Sequence, residues 1–311
     1  MKKKMLSVFS FIKKVILEFM DDNVLKYSAS LSYYTVFSLA PMIIIIIGIC
    51  GFLFGREAIQ GQVYGEIKDL VGSEAALQIQ DTIKNTRLTK DTPVATIASI
   101  VFLLLGGTAI FGEMQDSLNK IWGLKVKTKK AWFTLIIARL LSFSLIISLG
   151  FVLMVSLLLN ALIAIVGNHL NKLISGVGKI FIPVIDNLLS FTIITLIFAV
   201  IFKVLPDAKI KWKDVTVGAF ITAILFTLGK IGIGWYLGKS NMATIYGAAG
   251  SVVIIMVWAY YSSLILYLGA ECTKVYATQY GGKILPSDYS EWIIIEKIPV
   301  ANATLKEEVL K

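Results

Sequence analysis

Histidine occurs once, at His169, and cysteine twice, at Cys50 and Cys272. One imidazole cannot build a multi-histidine metal centre, nor the metal-dependent nuclease site that such a centre supports. The two thiols stand far apart, each in or beside an apolar run. They form no metal-ligand spacing and no disulfide framework, and both read as small packing residues. Charge is scarce: 16% of the 311 residues are charged, against roughly 25% in an ordinary soluble domain. Acidic residues are the scarcer sign, 20 against 30 basic ones. There is no phosphate-binding glycine loop, no Ser-His-Asp set and no metal motif. The carboxylates scatter at the ends of apolar runs, and no pair is placed for acid–base work. Soluble enzyme, disordered chain and secreted disulfide scaffold are therefore poor readings. No catalytic residue, cofactor or metal is expected.

What is present is apolar: 57% of the chain is hydrophobic. Six runs approach the ~20 residues that cross a ~30 Å hydrocarbon core. They cover residues 37–54, 94–111, 135–166, 184–205, 215–237 and 248–270. At that depth each backbone must satisfy its own hydrogen bonds, so helices are expected, and the alternating polarity of transmembrane strands is missing. The third run would be about 48 Å long as a helix and must tilt or continue past the bilayer. The expected fold is an all-α integral membrane protein with six transmembrane helices.

An interfacial helix is expected before the first span. Leu6, Phe9, Ile12, Ile16 and Phe19 recur at helical spacing, Lys13, Lys14 and Glu18 are polar, and Lys2, Lys3 and Lys4 lead in. This pattern suits an amphipathic helix lying on anionic lipid, and charge within the apolar stretch disfavours a signal peptide. Asp21, Asp22 and Asn23 offer caps for the next helix. The organisation is then an interfacial helix at 1–22, a membrane domain at 23–280 and a tail at 281–311. Residues 55–93 form the largest loop, with one or two short amphipathic helices. The tail reads as a mobile segment whose apolar patch, Trp292 to Ile295, touches the membrane face.

Basic residues set the orientation. With the N-terminus inside, the inside segments 1–36, 112–134, 206–214 and 271–311, together with Lys203, hold 20 Lys and Arg; the outside segments hold 8. Both termini are expected in the cytoplasm, and the excess of positive charge faces anionic lipid headgroups there. Nucleic acid is not an expected partner, since no basic domain with interleaved aromatics exists. A homo-oligomer stays open.

Lys230 is the sharpest site candidate, because an ionisable group inside a span is costly and often functional. Trp235 and Tyr236 place it near an interface, so snorkelling is an equal reading. Ser28, Ser32 and Thr35, with Ser30, Tyr34 and Ser38, give the helix entering the first span a polar side, and Pro41 should kink it. That side can line a solute path or a close helix contact. Tyr260, Tyr261, Ser262 and Ser263 add hydroxyls inside the sixth span. Arg139, Glu113, Asp116 and Glu271 fall at similar depth near the inner boundary. They suit an inner gate of ion pairs or a structural clamp.

Three blocks carry a family resemblance. Asp21-Asp22 is followed by Ala29, Tyr33-Tyr34 and Phe37-Ser38-Leu39-Ala40-Pro41. Leu205-Pro206-Asp207 is followed by Lys211-Trp212-Lys213-Asp214 and Gly218-Ala219. Tyr246-Gly247-Ala248 is followed by Trp258-Ala259-Tyr260-Tyr261 and Leu268-Gly269-Ala270-Glu271. Over roughly residues 5–280 the chain resembles the YihY/BrkB family. The resemblance implies a six-span bacterial inner-membrane protein with an envelope function, solute or lipid transport being the leading idea. An old ribonuclease label attached to some members conflicts with the single histidine. The resemblance supplies no settled substrate residues; Tyr34, Ser38, Pro41, Tyr246, Gly247, Tyr260 and Glu271 are its motif positions. Two functions stay open: a transporter or exporter with a polar path between helices, Lys230 attracting an anionic group, and a non-transporting envelope scaffold that docks partners.

Overall fold

The computed structural model describes residues 2–38, 93–127, 177–239, 246 and 250–293. Helix α1 runs Lys2–Asp21, and a second helix, α2, occupies 24–38. Asn23 separates them with φ 55°, a left-handed conformation that asparagine tolerates and that ends helices. Its carbonyl accepts from the Lys26 N–H at 2.9 Å, so one residue closes α1 and opens α2.

Helix α3 spans Pro93–Ile121. Proline suits its first turn, where the missing N–H is no loss. Gly123, at φ 68°, turns the chain into strand β1, Leu124–Val126. Helix α4, Val177–Val204, stops just before Leu205-Pro206, because proline cannot continue the helical ladder. Strand β2 is Ala208–Lys209. Helix α5 spans Trp212–Lys239 with Asp214 in its first turn and Lys239 in its last, both signs matching the helix dipole. Helix α6 runs Gly250–Gln279.

Three of these helices are long and apolar enough to cross a membrane among the described residues: 187–204, 212–236 and 252–279. They overlap the fourth, fifth and sixth expected spans, and the last runs to Gln279, beyond the expected end at Ala270. The second expected span falls within α3. The third, and all of the first beyond Ser38, lie outside the described residues, as do residues 55–92 of the expected loop, Pro41 and Arg139.

Helix α5 packs between α4 and α6, α1 lies against α6, and α3 touches both α6 and β1. One contact is reciprocal. A Cβ on Gly218 of α5 would overlap the Thr273 side chain of α6, and a Cβ on Gly269 of α6 would overlap Thr222 of α5. Each threonine hydroxyl donates to the carbonyl of the glycine four residues back on its own helix, at 2.7 and 2.8 Å. The hydroxyls are thereby satisfied, and the bare glycine backbones let the helices approach closely.

The outward side of α5 is a stripe of Phe220, Ile224, Leu228, Ile231 and Trp235, all exposed. A contiguous apolar surface of this kind suits lipid rather than water. The core gathers at the opposite end from Trp235, where Leu118, Ile121, Trp122, Leu124, Phe202, Leu205, Val215 and Tyr267 are fully or nearly fully buried.

The chain after α6 is pinned across that end. Strand β3, Leu285–Pro286, pairs antiparallel with β2, placing Ala208 opposite Pro286. Strand β4, Ser290–Trp292, pairs antiparallel with β1, placing Leu124 opposite Trp292 and Val126 opposite Ser290. The Ile293 N–H donates to the Gly123 carbonyl at 2.7 Å. The expected mobile tail is thus a strap as far as Ile293; residues 294–311 lie outside the described residues.

Candidate functional site

Two polar centres sit at the strap end. The first joins α1 to α6. Phe11 and Val15 of α1 pack on Cys272 and Val275 of α6. One and two turns further along that face come Glu18 and Asp22, the helical spacing that brings their carboxylates together. The Lys274 ammonium lies 2.8 Å from Glu18 and 2.5 Å from Asp22. It reaches Glu271, one turn earlier on α6, only at 3.5 Å. Glu271 is fully buried, and among the described residues neither of its carboxylate oxygens has a hydrogen-bond partner. Beside it the Trp122 indole N–H donates to the Ala270 carbonyl at 3.2 Å, tying α3 to the same turn. The opposite side of α1 exposes Phe9, Ile12, Ile16 and Met20.

The second centre is Asp207, in the bend after α4. Its carboxylate accepts from Gln115 Nε2 at 3.0 Å and Asn119 Nδ2 at 2.6 Å, both on α3. Its N–H donates to Asn119 Oδ1 at 2.8 Å. Its carbonyl accepts from the Ser287 N–H at 3.0 Å and the Ser290 hydroxyl at 2.7 Å. Burial raises the Asp207 carboxyl above the usual aspartate range, while hydrogen bonds from Asn119, Gln115 and Tyr289 pull it back. This centre locks α3, the α4–α5 bend and the strap together, and its donors are already committed. It is a fastening, not a binding site.

The sequence-predicted residues scatter. Tyr34 and Tyr246 are exposed, Ser38 is buried, and Tyr260 is partly buried. Lys230 is partly buried on α5, between exposed Leu228 and Ile231, on the turn before Trp235. Of the four proposed gate residues, Asp116 pairs with Lys120 on its own helix at 2.5 Å. Glu271 joins Lys274, Glu18 and Asp22. Glu113 is partly buried on α3. Three of the proposed hydroxyls are satisfied locally: Ser28, Thr35 and Ser263 each donate to a carbonyl four residues back. Ser32 reaches across to the Met256 carbonyl of α6 at 3.1 Å. Ser38 and Ser262 differ, for their buried hydroxyl oxygens find no partner among the described residues.

The family model for virulence factor BrkB matches residues 15–289. The chain belongs to the virulence factor BrkB family. That match takes in both polar centres, and the resemblance read at residues 5–280 agrees with it. The chain is 26% identical over 273 residues to the UPF0761 membrane protein of Vibrio campbellii, covering 85% of this chain and 81% of the relative. It is 25% identical over 259 residues to that of Haemophilus influenzae, covering 81% and 90%. A longer relative in Rhodospirillum centenum is 23% identical over 299 residues, covering 95% of this chain and 64% of its own. No solved structure matches the chain. The names of these BrkB-family relatives say membrane protein and assign no chemistry, so residue roles must come from the geometry.

Proposed function

We propose that this BrkB-family protein is a bacterial inner-membrane transporter or exporter of a small solute or lipid, not an enzyme. Six helices would span the bilayer with both termini in the cytoplasm. Helix α1 would lie in the interface, its exposed Phe9, Ile12, Ile16 and Met20 in the acyl boundary and its lysines on anionic headgroups. Nucleic acid has no place in this reading. The observation that carries transport is the pair of buried, unsatisfied hydroxyls at Ser38 and Ser262. A buried polar group in an apolar helix bundle normally has a partner, and a passing polar solute or water would supply one. Lys230 would attract an anionic group at the mouth beside Trp235.

The test is thiol labelling of Ser38→Cys and Ser262→Cys in intact membranes, in a chain whose own two cysteines are replaced by alanine. A water-soluble, membrane-impermeant reagent is expected to modify both positions. Protection of both would sink the transport reading. It would favour a non-transporting scaffold, for which one observation already speaks: Ser28, Thr35, Ser263 and Thr273 spend their hydroxyls on their own helix backbones.

A further inference from the structure

Three carboxylates face a single ammonium where α1 meets α6, and one of the three is dry. With all three ionised, Glu18, Asp22 and Glu271 leave two negative charges uncompensated by Lys274. The ammonium is spent mainly on Asp22 and Glu18, at 2.5 and 2.8 Å, and stands off from Glu271 at 3.5 Å. Glu271 has no accessible surface, and among the described residues neither of its oxygens accepts a hydrogen bond. A buried carboxylate in that condition is expensive unless a cation completes its surroundings.

We propose that Glu18, Asp22 and Glu271 form a divalent-cation exchange site whose tethered occupant is the Lys274 ammonium. One oxygen from each carboxylate lies within 4.8 Å of the others. An ion held at roughly 2.1–2.6 Å from each oxygen fits that spread. The donors are all oxygen, which selects hard cations such as Mg²⁺, Ca²⁺ or Mn²⁺ over softer metals. Entry is open from one side only: the Glu18 and Asp22 side chains are 34% and 27% exposed, while Glu271 forms the closed floor. A divalent ion entering past Glu18 would displace the Lys274 ammonium outward and put two charges where one stood. Since Glu18 lies on α1, Asp22 just after it and Glu271 on α6, occupancy would also change how α1 is held on the bundle. The site stands apart from the transport reading, because binding is measured without flux.

The probe is Mn²⁺, followed by loss of the free-ion electron paramagnetic resonance signal, on the full chain in an uncharged detergent. Wild type is expected to bind weakly, because the lysine competes. Lys274→Met keeps a chain of similar length without the charge, and should bind at least about tenfold tighter, since a like charge at contact distance is removed. Glu271→Gln should lose binding in either background, and Asp288→Asn should change nothing. Equal Mn²⁺ affinity in folded Lys274→Met and wild type would overturn the proposal. So would Mn²⁺ binding that survives Glu271→Gln. Should Lys274→Met fail to insert, the comparison passes to wild type against Glu271→Gln. A free-ion signal that wild type diminishes and the glutamine variant leaves intact then supports the site, and equal binding overturns it.

Discussion

Asp207 is buried yet lies between two spans rather than within one, so its titration is set by protein, not lipid. Burial raises its carboxyl above the ordinary aspartate value. The folded chain therefore holds a proton at pH values where the unfolded chain has released it. Stability then increases as pH falls through the window from the folded value down to the ordinary one, and levels off below it. The contribution is lost above the folded value. Hydrogen exchange at the Ser287 amide, which donates to the Asp207 carbonyl, should report it. Protection relative to Asp207→Asn is expected to grow on acidification through that window; a constant difference would remove Asp207 as the cause. Asn119 is the stronger anchor at neutral pH, since it donates to the carboxylate and accepts from the Asp207 N–H. Asn119→Ala should cost about 3 kcal/mol, the upper range for a hydrogen bond to a charged group, read as a lowered apparent Tm. Neither residue stood out as a buried network in the sequence. Asp207 was visible only inside the Leu205-Pro206-Asp207 block, and its partners are about ninety residues earlier and eighty later. Glu271 was legible as a carboxylate ending an apolar run. Its partners were not, because Glu18 and Asp22 lie some 250 residues away.

The reciprocal Gly–Thr contact between α5 and α6 follows from a spacing present in both helices. Gly218 and Thr222 are four apart, and so are Gly269 and Thr273. Placed antiparallel, each glycine meets the other helix's threonine. Gly234 with Gly238 shows the same small-residue spacing, yet a Cβ at Gly234 meets nothing within 4 Å. Spacing alone thus finds the kind of contact and not its place, because which helix faces are paired is a tertiary fact. Gly218→Ala is expected to destabilise by about 1–3 kcal/mol, the usual cost of overpacking. Thr273→Ala in the same chain should recover part of that loss, since the nearest overlapping atom is gone while the Thr273 backbone stays close. A double-mutant cycle on apparent Tm in detergent checks this. Purely additive losses would mean that the two residues do not touch. The strap shows the opposite case. Its strands are two and three residues long, too short for any periodic signal, so it read as a tail. What holds it is pairing to β1 and β2 and the Asp207 carbonyl, none of which is local.

The four segments assigned to one side from their lysines are distant in sequence but meet in space. Helix α1 seats on the end of α6 through Val15, Cys272 and Val275. The strap following α6 pairs with β1, just after α3, and with β2, just after α4. The described parts of segments 1–36, 112–134, 206–214 and 271–311 therefore meet at one end of the bundle. That end carries exposed Lys125, Lys209, Lys211, Lys213 and Lys283, and the positive-inside bias makes the cytoplasm its expected side. Single cysteines replacing Lys125, Lys213 and Lys283, in a chain whose own cysteines are alanine, should all be blocked in intact cells and all open in inverted vesicles. A split among the three would contradict the strap pairing itself. Labelling of all three from outside would keep the fold and reverse its orientation, which would mean that the basic excess serves the protein's own ion pairs rather than its insertion.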